Sequence, residues 1–100
     1  SSASEQFPLS VAEAMAAGLP IAAPDVGDIR QMVAELNRGF IAVPGDADAL
    51  GTMIAELADD PALRAKIGAT NREKARAEFD FAAMVARYRA VYAAAMGRDF

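Results

Sequence analysis

Leu19-Pro20-Ile21-Ala22-Ala23, followed by Asp28-Ile29-Arg30-Gln31-Met32-Val33 and then Gly39-Phe40-Ile41-Ala42-Val43, decides the fold. The first and third runs are short, apolar and bounded by Gly or Pro, which reads as two buried strands. The second has an aspartate placed to cap a helix that runs through Ile29, Met32, Val33 and Leu36. Two strands joined through a helix leave no short turn for a hairpin, so they pair in parallel. Parallel sheets are covered by helices on both faces and usually hold about five or six strands. The expectation is therefore an α/β chain, residues 1–100 as a single partial domain. It would form the second half of a Rossmann-like, doubly wound domain whose earlier strands lie outside it.

Outward from this unit, a first helix is expected to start at Ser10 and end near Ala17, with Gly18 terminating it and Pro20 unable to continue it. On the other side, Asp46 opens a helix in which Leu50, Met53, Ile54 and Leu57 recur at helical spacing. Asp60 then caps, with Pro61 at the first helical position, a helix reaching about Glu78. Asp80 caps a last helix with one apolar stripe: Phe81, Met84, Val85, Tyr88, Val91, Tyr92 and Ala95. That stripe fits either a cover over the chain's own sheet or a surface for a further domain.

Composition removes several function classes. The chain has 54% hydrophobic and 24% charged residues, a net charge of −4, no cysteine and no histidine. Disulfides, thiolate metal sites and the commonest general base are thus absent, and no clustered Lys and Arg offer a nucleic-acid surface. No apolar run is long enough to span a membrane, which makes the cytoplasm the default location.

The stretch with chemical content is Ser4-Glu5-Gln6-Phe7-Pro8-Leu9-Ser10-Val11-Ala12-Glu13-Ala14-Met15-Ala16-Ala17-Gly18-Leu19-Pro20. A loop leading straight into a helix start would present free backbone N–H groups around Leu9 to Val11, at the positive end of the helix dipole, as a site for phosphate. Glu5 and Glu13 flank it, and an ionised carboxylate only accepts hydrogen bonds. A ligand that satisfies both features carries an anionic group with hydroxyl donors on either side, the layout of a nucleoside diphosphate sugar. Ser10-Val11-Ala12-Glu13 is equally a capping box, in which both side chains merely close a helix end.

The same stretch resembles the retaining, two-Rossmann-domain (GT-B) glycosyltransferases of the family four type. Their signature sets two glutamates with seven residues between them in a pattern met here by Glu5, Phe7, Pro8, Leu9, Glu13, Ala14, Met15, Ala16, Gly18 and Pro20. The likeness continues through Pro24 to Asp28, Gly39 to Asp46, Asp59 to Arg64 and Phe79 to Tyr92. It implies the carboxyl-terminal part of the donor-binding domain of an enzyme that moves a sugar from its nucleoside diphosphate to an acceptor hydroxyl. Carried over, Glu5 is the residue at the reacting sugar, where it accepts hydroxyls. The amides of Phe7, Leu9 and Ser10 lie near the sugar and the distal phosphate, and Glu13 holds the ribose hydroxyls. Pro8 stands where many relatives have glycine and can offer no amide.

The resemblance further implies that the nucleotide sugar is a substrate with no cofactor and no metal, that Arg and Lys for the diphosphate lie upstream, and that helix 80–96 meets an amino-terminal acceptor domain. The chain alone is then expected to be inactive. Many such enzymes work on lipid-linked acceptors, so peripheral membrane attachment stays open. The alternative is a non-catalytic nucleotide-binding or helical interaction module.

Overall fold

A computed structural model describes the backbone of residues 2–96 and the side chains of residues 9–91, 93 and 94. The order is α1 (Ser2–Ala16), β1 (Ala23–Pro24), α2 (Ile29–Met32), a 3₁₀ helix (Glu35–Phe40), β2 (Ile41–Ala42), α3 (Ala47–Asp59), α4 (Pro61–Glu78) and α5 (Phe81–Met96). β1 and β2 pair in parallel, Ala23 opposite Ile41 and Pro24 opposite Ala42. This is the expected α/β arrangement, a parallel strand pair carried by helices. The core gathers Val11 and Met15 from α1, Ile21 and Ala23 from the β1 segment, Ile29, Val33, Ile41, and Ala75 from α4.

Several helix boundaries follow from local chemistry as expected. Asp46 accepts the Ala49 N–H, Asp60 the Leu63 N–H and Asp80 the Ala83 N–H, each at 3.0 Å. The end of α1 is a Schellman motif: Leu19 N–H donates to Ala14 C=O (3.1 Å), Gly18 N–H donates to Met15 C=O (2.9 Å). Gly18 takes φ +81°, the left-handed conformation that a side chain would strain.

Three expectations are corrected. The first helix begins at Ser2, not at Ser10. Residues 2–7 contain no glycine or proline, and adding a residue to an existing helix is far easier than nucleating one. Pro8 removes a single N–H, the one that would donate to the Ser4 carbonyl. Asp28 makes no side-chain cap, and α2 stops at Met32 instead of running to Leu36. Here side chains from elsewhere take the backbone groups that a longer helix would use. Lys74 Nζ donates to the carbonyls of Gln31 and Val33, Arg38 Nε donates to that of Arg30, and Asn71 Oδ1 accepts the Ala34 N–H. Finally, β1 and β2 are shorter than the runs Leu19–Ala23 and Phe40–Val43.

The shortening of β1 has a definite cause. Asn37 Oδ1 accepts the Ile21 N–H (2.8 Å), and Asn37 Nδ2 donates to the Ile21 carbonyl (2.7 Å), so one side chain stands in for a neighbouring strand. Asn71 Nδ2 donates to the Leu19 carbonyl (3.0 Å) and to Asn37 Oδ1 (2.7 Å). Both asparagines are fully buried. Among the described residues no buried side-chain N or O atom lacks a partner.

α4 approaches the end of α1 closely through Gly68, which is buried. A Cβ built there would lie 2.8 Å from the Gly18 carbonyl carbon and nearer still to its oxygen. Helix propensity alone favours alanine over glycine by about 1 kcal/mol. Overpacking against backbone costs about 1–3 kcal/mol. Gly68→Ala is thus expected to lower the urea midpoint; a raised midpoint would mean that this helix contact is looser than described.

Candidate functional site

α1 sorts its residues by face. Val11, Ala12 and Met15 are buried, while Ser10 and Glu13 are exposed and Leu9 is half-buried. α5 packs across α1 and α4 packs beside it, so the outward face of α1 becomes one wall of two grooves. The smaller is lined by Leu9, Ser10, Glu13 and Tyr88 of α5. The larger lies where the turn after β1 (Gly27, Asp28) meets the α4–α5 junction at Phe79 and Asp80. Leu9 lines both. Phe79 and Phe81 brace that junction edge to face, their centroids 6.2 Å apart and the rings inclined at 73°.

Of the residues singled out in the sequence, Leu9, Ser10 and Glu13 come together on one groove. The side chains of Glu5 and Phe7 lie outside the described residues, and their backbone belongs to α1. Eight helical steps separate Glu5 from Glu13, a rise of about 12 Å along the axis. The amides of Leu9 and Ser10 fall inside the helix rather than at its start. In this structure the free N–H groups of α1 are therefore those of its first turn at Ser2.

The capping-box reading of Ser10 and Glu13 falls for the same reason, because Ser10 is not the residue before a helix. Glu13 is an exposed carboxylate whose backbone carbonyl accepts the Ala17 N–H at 3.0 Å. The last helix does cover its own domain: Phe81, Met84, Val85, Tyr88 and Val91 are half-buried, while the Tyr92 and Ala95 side chains lie outside the described residues. Among the described residues no three His, Cys, Asp or Glu side chains gather as metal ligands would, and no helix is long and apolar enough to cross a membrane.

Two things escaped the sequence reading. Tyr88 was seen only as part of an apolar stripe, although its phenol gives the same residue a polar end. Asn37 and Asn71 were not singled out at all. The available signal was Asn71 on the line Ile67, Asn71, Ala75, a polar residue at helical spacing between two that are fully buried.

The fold and the motif together define a helix-covered parallel α/β domain that carries a paired-glutamate segment on its first helix. The chain belongs to the family Glycosyl transferases group 1, which it matches over residues 1–74. Among curated relatives, a D-inositol 3-phosphate glycosyltransferase of Streptomyces avermitilis is 41% identical over 64 residues, covering 64% of this chain and 14% of the relative. Another of the same description, from Streptomyces scabiei, is 36% identical over 93 residues, covering 93% and 21%. An MMP alpha-(1->4)-mannosyltransferase of Mycolicibacterium hassiacum is 33% identical over 95 residues, covering 94% and 23%. The chain thus spans between 14% and 23% of the length of these relatives. No solved structure matches it.

If Ser10 were the cap of α1, Ser10→Ala would cost about 1 kcal/mol. At an exposed interior position, the change should fall within about 0.5 kcal/mol of zero. Urea unfolding of this variant is expected to show the smaller effect, and a loss near the larger figure would return the helix start to Ser10.

Proposed function

We propose that this chain is the carboxyl-terminal, donor-binding part of a retaining glycosyltransferase that moves a hexose from a nucleoside diphosphate sugar to an acceptor hydroxyl. The observation that carries the reading is the paired-glutamate stretch from Glu5 to Pro20, lying within the family match. In this reading Glu13 accepts hydrogen bonds from the ribose hydroxyls and Glu5 from those of the donor sugar. The amides of Phe7, Leu9 and Ser10 meet the sugar and the distal phosphate.

Those amides become available when the turns of α1 ahead of Ser10 open on donor binding. Pro8 eases the step, since its missing N–H already leaves the Ser4 carbonyl without an intrahelical partner. The helix start then moves to Ser10, where the dipole favours an anion by about 0.3–1 kcal/mol. So small a contribution cannot by itself stabilise a departing diphosphate, for which preorganised donors supply most of the catalysis. The Arg and Lys that hold the diphosphate lie upstream of the motif, and the acceptor site belongs to a further, amino-terminal domain, which helix 80–96 would meet along the side not used against α1. The reaction so described uses no metal and no cofactor.

Amide NMR during titration with UDP, GDP and ADP tests the reading. Saturable shifts between Phe7 and Glu13 are expected for one nucleotide, with affinity weakened about tenfold in Glu13→Ala, and no sugar transfer by the chain alone. A well-dispersed spectrum that ignores all three nucleotides would favour a non-catalytic module. Turnover by the pure chain would refute the claim that it is only part of an active site.

A further inference from the structure

We infer that Arg72 and Arg76 form a second ligand site, away from the paired glutamates, that takes the phosphate of a phosphorylated polyol. The site is a groove of about 700 Å³ between the end of α1, at Ala17 and Gly18, and the outer face of α4. Ala65, Ala69, Arg72 and Arg76 line it from α4, at spacings of four, three and four residues that set them along one face of the helix. None of these residues lines the two grooves at Leu9, so the inference stands apart from the donor reading.

The state of the two guanidiniums carries it. On the same helix Arg64 donates to the carbonyls of Leu57 and Ala58, and Lys74 to those of Gln31 and Val33. Among the described residues, neither Arg72 nor Arg76 has a hydrogen bond or an ion pair. Two like charges four residues apart destabilise a helix unless a counter-charge joins them. Glu73 lines the same groove and pairs with neither. The Arg72 stem lies against Gly18, its Cδ 3.9 Å from where a Cβ would stand, which keeps this side chain over the end of α1.

The ligand class follows from the groups present. A guanidinium recognises carboxylate or phosphate through paired N–H donors. One guanidinium satisfies one carboxylate, whereas two on one face match the double charge and three free oxygens of a phosphate monoester. The alanine and glycine floor has no bulky side chain to hold the anion away. Glu73 only accepts hydrogen bonds and repels phosphate, so it suits hydroxyls carried by the same ligand. With a net charge of −4 the chain as a whole repels anions, and the attraction is local to this arginine pair.

Amide NMR of the full chain at constant ionic strength, with inorganic phosphate, sorbitol 6-phosphate and sorbitol as probes, tests the inference. The proteins are the wild type, Arg72→Gln, Arg76→Gln, Glu73→Gln and, as a charge-matched control on α5, Arg89→Gln. Saturable shifts at Gly18, Ala69 and residues 72–76 are expected for both phosphates and not for sorbitol. Each groove arginine variant should weaken binding about tenfold or more, the worth of a charge-assisted hydrogen bond, and Arg89→Gln should stay within about twofold of the wild type. Glu73→Gln should lower the preference for sorbitol 6-phosphate over inorganic phosphate about threefold; an unchanged preference would remove the polyol and leave the phosphate. Shifts confined to Phe7–Glu13, equal losses in Arg89→Gln and the groove variants, or no saturable binding would each overturn the site.

Discussion

The hydrogen bond from Asn71 Nδ2 to Asn37 Oδ1 is the constraint on which the rest of the structure depends. Around it the two side chains bind the backbone of Leu19, Ile21 and Ala34, joining segments 16 to 52 residues apart in sequence. Every bond in the set has a direction that only a carboxamide provides: Asn37 must accept from Ile21 and donate to it, and Asn71 must accept from Ala34 and donate twice. A buried polar group left without a partner costs about 1–3 kcal/mol, so a partly closed network would be worse than an apolar core. With a strand pairing of only two residues on each side, the sheet has little cohesion of its own. The asparagines supply the lateral bonds that a longer β1 would have made.

From that lock the functional face follows. Asn71 fixes α4 beneath the Leu19 turn, Gly68 lets the same helix meet the Gly18 carbonyl, and the Schellman motif sets where α1 must end. With its end and inner face determined, α1 turns Val11, Ala12 and Met15 into the core and leaves Ser10 and Glu13 outside. α5 then lies across α1 and brings Tyr88 to the same groove. Glu13 of the paired-glutamate motif thus gains its place on the groove from residues that are not part of the motif. That motif lies within the match to the glycosyl transferases group 1 family.

Much of this was legible in the sequence because it rests on short-range chemistry. Asp46, Asp60 and Asp80 cap through their own side chains, Gly18 ends α1 through its own backbone, and the parallel pairing follows from the absence of a short turn. The motif could likewise be read directly, since ten positions between Glu5 and Pro20 match at once. What failed was whatever distant residues decide. Leu36 lies at the right spacing to continue α2, but Lys74, Arg38 and Asn71 claim the backbone groups that a longer helix needs. Leu19 to Ala23 has the composition of a strand, but Asn37 takes the place of its neighbour. The helix start was misplaced because Pro8 and the Ser10-to-Glu13 box are strong local signals, while the uninterrupted helix formers ahead of them are individually weak.

Hydrogen exchange at two amides tests the central claim most directly. Among the described residues, the N–H groups of Ile21 and Ala34 bond only to the side-chain oxygens of Asn37 and Asn71, outside any helix or strand ladder. If the carboxamide lock is closed, both should exchange through global unfolding alone, as slowly as the Met15 amide in the core of α1. Exchange as fast as that of the exposed turn at Gly27 would show that the lock opens locally, and the account of how this chain shapes its groove would fail.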